Sequence, residues 1–119
     1  MDDGAWSGCI FCRIVAGEAP ARIVHSSDRV LAFRDVNPQA PVHLLLIPKE
    51  HVGSAAGLDE DHGDVLSELF IAAAHLAKAE GVDASGWRLV TNTGRDAGQS
   101  VDHLHFHLLG GRRMGWPPG

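Results

Sequence analysis

The stretch His103-Leu104-His105-Phe106-His107-Leu108-Leu109 sets three histidines at alternate positions. In an extended strand, residues i, i+2 and i+4 project to one face, so the imidazoles form a row at intervals of about 6.5–7 Å. Leu104, Phe106 and Leu108 then turn to the other face, toward a core. A row of imidazoles offers a nucleophile, an acid/base partner and a metal ligand within reach of one substrate. The competing reading is an amphipathic strand whose polar face happens to be histidine. A solvated face ordinarily uses Thr, Lys, Glu or Ser, so the row is read here as chemistry.

Two further groups bear on that row. Immediately before it lies Asn92-Thr93-Gly94-Arg95-Asp96-Ala97-Gly98-Gln99-Ser100. Glycines permit close backbone approach and positive φ, and backbone amides in such a loop form an anion-binding concavity. Asn92, Gln99 and Ser100 add neutral donors. Alone, this loop is equally an ordinary strand connection. Running directly into three aligned histidines, it places donors beside an imidazole nucleophile, as phosphoryl or nucleotidyl transfer requires. The second group is Cys9-Ile10-Phe11-Cys12, whose spacing is that of half a tetrahedral zinc site. A redox dithiol and two unconnected thiols are the alternatives.

The elements that must position these residues follow from periodicity. Ile10 to Ala16 forms one or two helical turns ended by Gly17, and Pro20 breaks the chain. Arg22–His25 and Arg29–Phe33 read as strands joined by the turn Ser26-Ser27-Asp28, a hairpin. Asn37-Pro38-Gln39-Ala40-Pro41 is a loop. Val42–Ile47 is apolar on nearly both faces and reads as a central strand. From Glu60 to Glu80, apolar residues fall at Val65, Leu66, Leu69, Phe70, Ala73, Leu76 and Ala77, which is helical spacing, with Gly81 as the stop. Trp87–Thr91 is a further strand, and the histidine strand spans 102–109. Five strands and one long helix, with a short N-terminal helix, predict an α+β domain. Its antiparallel sheet is covered on one face by the long helix. The tail from Arg112 to Gly119 carries too little pattern to assign.

Composition bounds the rest. At 119 residues, the chain reads as one domain spanning 1–119, and its 45% hydrophobic content is ordinary for a globular protein. Fifteen acids against ten bases leave a formal charge of -5, which argues against general nucleic-acid binding while leaving room for one nucleotide. No apolar run approaches the roughly 20 residues of a membrane span. The acidic start, Met1 to Trp6, lacks a signal-peptide pattern, and a cytoplasmic location is expected. There, two cysteines suggest metal or redox chemistry rather than a structural disulfide.

With these residues in hand, the chain resembles the histidine-triad (HIT) nucleotide-binding superfamily, and within it the Hint branch of purine nucleoside phosphoramidate hydrolases. The resemblance runs from Cys9 to Gly119. It rests on the triad, on Asn37-Pro38-Gln39-Ala40-Pro41, on Ile47-Pro48-Lys49 with His51, on Gly98-Gln99-Ser100 and on the terminal Trp116-Pro117-Pro118-Gly119. The diadenosine polyphosphate hydrolase branch usually has Gln at the third triad position, where this chain has His107.

The resemblance implies a set of roles. His105 is the nucleophile on the α-phosphorus of a nucleoside monophosphate derivative, oriented by the backbone carbonyl of His103. His107 holds a phosphate oxygen, and His43 is the supporting fourth histidine, although from sequence alone His43 reads as a satisfied core histidine rather than a catalyst. Ser100 and Gln99 line the phosphate and leaving-group side, with Gly98 in the same loop, and Asn92 helps position the phosphate. Asp35, otherwise a turn residue, takes the ribose hydroxyls. Phe11, Ile14, Ile23 and Phe33, otherwise plain core, form the base pocket. Relatives that carry the cysteine pair complete a structural zinc site with two histidines, here His51 and His103, and no organic cofactor is implied. The Hint branch forms homodimers.

The function expected from the resemblance is cleavage of the P–N bond of purine nucleoside 5′-phosphoramidates, such as adenylated amines, through a nucleotidyl-histidine. A nucleotide-binding, zinc-stabilised interaction module with incidental turnover is one alternative, and a nucleotidyltransferase is another. His25, His62 and His75 have no motif around them.

Overall fold

A computed structural model describes residues 8–119; the acidic stretch 1–6, read above for targeting, lies outside them. The chain opens with a short helix, α1 (Ile10–Val15). Cys9 caps it, its Sγ accepting the Cys12 N–H at 3.3 Å. Phe11 and Ile14, three residues apart, share the buried side of α1.

Five strands follow: β1 (Ile23–Ser26), β2 (Val30–Arg34), β3 (Val42–Pro48), β4 (Trp87–Val90) and β5 (Phe106–Gly110). All pair antiparallel in the order β1-β2-β3-β5-β4. Between β3 and β4 lies the long helix α2 (Gly63–Ala79). The expected α+β architecture, with one long and one short helix on an antiparallel sheet, is the observed one.

The sheet is apolar on both faces, which explains the unbroken apolar run of β3. Val30, Ala32, Leu44, Leu46, Leu104, Phe106 and Leu108 pack under α2 against Val65, Leu69, Ala72, Ala73 and Leu76. On the opposite face, Leu31, Phe33, Leu45 and Ile47 pack against Phe11 and Ile14 of α1. The period of two along each strand separates these sets. It also puts His43 and His107 on the α1 face.

Two expectations need correction. The helix expected from Glu60 begins instead as a 3₁₀ turn, Glu60–His62, and becomes α-helical at Gly63. Asp59 is the reason. Its Oδ1 accepts the Asp61 N–H at 2.9 Å while His62 Nδ1 accepts the Asp59 N–H at 3.0 Å, a reciprocal cap that tightens the first turn. At the other end Gly81 adopts φ 77°, and the Val82 N–H reaches the Ala77 carbonyl at 2.9 Å, which closes the helix where expected.

The second correction concerns the histidine strand. Regular pairing starts only at Phe106, opposite Leu46, so His103 and His105 precede β5 rather than lie within it. Pro48 has no N–H with which to continue the ladder past this point. The bonds made by residues 103–104 go elsewhere, to Pro48 O and Val52 O.

Candidate active site and metal centre

Each triad histidine has its tautomer set by a group that can act only one way. A carbonyl only accepts, so the 2.7 Å contact of His105 Nδ1 with His103 O places the proton on Nδ1. In the neutral ring Nε2 then carries the free lone pair. The Thr91 hydroxyl donates to the His105 carbonyl at 2.8 Å and holds this backbone. Phe11 lies edge-on to the His105 ring, with centroids 5.2 Å apart. His105 is buried, and its ring meets that of His107 in a T-shaped contact with centroids 5.1 Å apart, closer than an ideal strand row.

A second chain of bonds fixes His107. The Gln39 N–H donates to His43 Nδ1 at 2.9 Å, so the neutral His43 ring carries its proton on Nε2. That nitrogen lies 2.8 Å from His107 Nδ1, which therefore accepts. The His107 proton is left on Nε2, a donor complementary to the lone pair of His105. The pairing is diagonal across the sheet, because Leu45 is opposite His107 and Leu109 is opposite His43. Asp35 Oδ2 stands 3.3 Å from His43 Nε2 and 4.0 Å from His107 Nδ1, while its Oδ1 accepts the Asn37 N–H at 2.8 Å. Burial, reinforced by the neighbouring His105 and His43, pushes the His107 pKa down to about 4. Burial likewise lowers that of His43, against the attraction of Asp35. Both rings are neutral at pH 7.

His103 turns away from the row. Its Nε2–H donates to Pro48 O at 2.9 Å, which leaves the Nδ1 lone pair facing the cysteines. Nδ1 is 3.4 Å from Cys9 Sγ and 3.5 Å from Cys12 Sγ, and His51 Nδ1 is 3.1 Å from Cys12 Sγ. All four ligand atoms lie within 4.8 Å of one another. Tetrahedral zinc with Zn–S near 2.3 Å and Zn–N near 2.0 Å requires S···N separations of about 3.5 Å. The donor set therefore fits that ion. In the metal-free protein, burial and the adjacent Cys9 push the Cys12 thiol up to about 12. Burial pushes His103 down to about 4.

The remaining candidates are placed unequally. Phe11, Ile14 and Phe33 are buried together beneath the triad, whereas Ile23 is 52% exposed on β1. Asn92 is half-buried after β4. Gly98, at φ 79°, turns the loop back. The Gln99 carboxamide accepts the Gly94 N–H and donates to Gly53 O and Val101 O, so it pins this loop to the chain after β3. Ser100 is exposed on the metal side of the triad, where it lines a cavity of about 410 Å³ with Cys9, His51 and Asp102. The sequence reading placed Gln39, Pro48 and Thr91 in motifs and strands but gave them no task. Gln39 and Pro48 act through a backbone N–H and a backbone carbonyl, which leave no residue-type signature, and Thr91 acts through its hydroxyl on the His105 carbonyl.

Comparison with known proteins agrees with this geometry. A family model described as HIT domain matches residues 16–114. The 14 kDa zinc-binding protein of Brassica juncea is 50% identical over 113 residues, covering 92% of this chain and 98% of that protein. Adenylylsulfatase HINT1 of Arabidopsis thaliana is 49% identical over 115 residues, covering 95% and 78%. Among solved structures, a HIT family hydrolase from Legionella pneumophila superposes with a TM-score of 0.92 at 49% identity, covering 94% of this chain and 100% of that one. With the triad, the sheet order and the match over most of its length in agreement, this chain belongs to the HIT family.

Proposed function

We propose that the protein is a nucleotide hydrolase that cleaves the P–N bond of purine nucleoside 5′-phosphoramidates through a nucleotidyl-His105 intermediate. The carrying observation is the pair of complementary tautomers: a lone pair on His105 Nε2 beside a proton on His107 Nε2. His105 Nε2 attacks the α-phosphorus, and the P–N bond breaks with its electron pair going to the amine, which takes a proton from solvent water as it leaves. Water then attacks the same phosphorus and gives up a proton to solvent, the P–Nε2 bond breaks with its electron pair returning to His105 Nε2, and a nucleoside monophosphate departs. His107 Nε2–H faces the phosphate and offsets charge as it develops. His43 holds His107 in that tautomer. Phe11, Ile14, Phe33 and the rim residue Ile23 take the base and Asp35 the ribose. Asn92, Gly98, Gln99 and Ser100 shape the phosphate and leaving-group side.

Cys9, Cys12, His51 and His103 hold a structural zinc, a reading supported by the ligand geometry and by relatives named as zinc-binding proteins. Bound there, the ion cross-links α1 to the segments around the sheet and presents no open position for substrate.

The chain acts as a homodimer with no membrane partner. Among the described residues no helix is long and apolar enough to cross a membrane. Support for the dimer comes from β4, an edge strand, and from Phe70, Trp87 and Trp116, which stay exposed. The proposed location is cytoplasmic, where a cysteine pair that forms no disulfide stays reduced and able to hold metal.

A second reading concerns only the leaving group. The Arabidopsis relative is named an adenylylsulfatase, and sulfate in place of an amine leaves the first step unchanged. A panel of adenosine phosphoramidates and adenylyl sulfate, followed by AMP release, separates the two. Mass spectrometry of acid-free quenched protein should show one adenylyl group added at His105. Absence of AMP from every member of the panel would overturn the hydrolase reading.

A further inference from the structure

Resting on the reading of His107 Nε2–H as the donor to phosphate, we propose that Arg112 is a positioning residue for the triad. From the tail beyond β5 it pins the backbone of Gln39, whose N–H selects the His43 tautomer and, through it, the donor on His107.

Each link is a hydrogen bond. Arg112 Nε–H donates to Gln39 O at 2.9 Å, Gln39 N–H to His43 Nδ1 at 2.9 Å, and His43 Nε2–H to His107 Nδ1 at 2.8 Å. The first bond spans 73 residues, whereas the other bonds of Gln39 are local, its N–H to His43 and its carboxamide to Asn37 O at 3.0 Å. The Arg112 guanidinium bonds only backbone carbonyls, that of Gln39 and, at 3.2 Å, that of its neighbour Arg113. A guanidinium on a carbonyl is a clamp. It stays protonated at any working pH, so it holds the chain without exchanging a proton with it.

The register explains the reach of Arg112. Leu109 pairs with His43 and Gly110 with Val42, so the residues after β5 run beside the loop that precedes β3. Gly111 approaches that loop so closely that a Cβ there would lie 2.9 Å from the Pro41 side chain. The end of β5 thus grips the loop that sets the tautomer of the third triad histidine, which β5 itself carries.

The cost of a loosened Gln39 follows from the two tautomers of a neutral imidazole. Without the Gln39 N–H in place, the His43 proton is free to sit on Nδ1. His43 Nε2 would then accept, His107 Nδ1 would donate, and His107 Nε2 would turn a lone pair toward the phosphate in place of a proton. Asp35 Oδ2 lies nearer His43 Nε2, at 3.3 Å, than His107 Nδ1, at 4.0 Å, and so favours the productive tautomer by itself. Losing the clamp therefore shifts the tautomer population and does not invert it.

The test uses the full-length protein with Arg112→Met, which keeps the apolar stem and removes the donor, and Arg112→Lys, which keeps a charged donor. With an adenosine phosphoramidate, Arg112→Met should lower kcat about three- to tenfold, the fold-change one hydrogen bond is worth, and leave KM nearly unchanged. Arg112→Lys should recover part of the loss. Both variants should melt within a few degrees of the wild type, because Arg112 is exposed. Nitrogen NMR of histidine-labelled, substrate-free protein reads the tautomers directly. The wild type should show His107 protonated on Nε2. In Arg112→Met, His107 Nε2 should move toward the unprotonated shift and Nδ1 toward the protonated one, a change that a merely structural bond would not produce. Unchanged tautomers in Arg112→Met would overturn this role for Arg112. A raised KM with kcat intact would overturn it in favour of direct contact with substrate. A wild type that releases no AMP would overturn the hydrolase reading, and the nitrogen shifts would still decide the role of Arg112.

Discussion

At the scale of single residues, the site is a problem of proton placement. His105 carries its lone pair on Nε2 only because a carbonyl occupies Nδ1. His105→Ala should cut kcat by well over tenfold while nucleotide binding stays measurable, because covalent catalysis divides one hard step into two. A variant keeping more than a tenth of the activity, less than about 1.4 kcal/mol of barrier, would remove His105 as nucleophile. The low pKa of His107 also makes a stability statement. A ring held near 4 in the folded state binds fewer protons than the unfolded chain between that value and the ordinary 6.5. Its contribution is therefore complete above about pH 6.5 and is lost as pH falls toward 4. Urea melts at pH 5 and pH 7 should show the acid loss, and His107→Gln should shallow the slope. An unchanged slope would mean that other groups carry the acid sensitivity.

At the scale of elements, the two ends of β5 do different work. Its start is released from the ladder at Pro48, and this frees His103 for the cysteines of α1. Its end at Gly110 meets Val82, the residue just past α2: a Cβ on Gly110 would lie 2.9 Å from the Val82 side chain. Both neighbours are held, Gly110 by pairing with Val42 and Trp87, and Val82 by its N–H to Ala77 O. Gly110→Ala should destabilise the fold by about 1–3 kcal/mol, the usual cost of overpacking, as read from denaturant midpoints. A neutral effect would show that the end of α2 yields easily. The short helix α1 is a separate unit of stability. Cys9→Ala should remove bound zinc and lower Tm, since α1 would then rest on the packing of Phe11, Ile14 and Val15. Metal analysis of protein purified without chelators should give about one zinc per wild-type chain and none in the variant. A metal-free wild type would count against the centre.

At the scale of the whole molecule, the sheet ends on an open edge. β4 pairs with β5 on one side only, and Trp87 on it shares the α2 face with Leu89 by strand parity. Phe70 of α2 reaches the same region, its ring 5.7 Å from that of Phe106. Trp116, in the tail that Arg88 anchors through Gly115 O, is 83% exposed. Exposed edges and large exposed apolar groups are features that association covers, and a two-fold interface would use the same patch twice. Light scattering at micromolar concentration should give twice the 12.7 kDa chain mass. Deleting residues 113–119 should change the ranking of leaving groups more than it changes Tm. A monomer would overturn the dimer, and an unchanged ranking would free the tail from any role in selectivity.

Local periodicity determined a good part of this protein. The spacing of Val65, Leu69, Ala73 and Leu76 specified a helix and its buried side. The alternation of Leu104, Phe106 and Leu108 specified which side of the last strand enters the core, and both patterns stand. These signals are legible because one element's geometry maps residue number onto a face. The division of labour among the histidines was not legible from spacing. His103 lies 94 residues from Cys9 and His107 lies 64 from His43, and each meeting depends on the register of β3 against β5 and on where Pro48 halts it. The tautomers depend on Gln39 N–H, Pro48 O and His103 O, backbone groups that every residue carries. A backbone donor or acceptor gains chemical meaning only from its position in space, and that position is set by the tertiary structure alone.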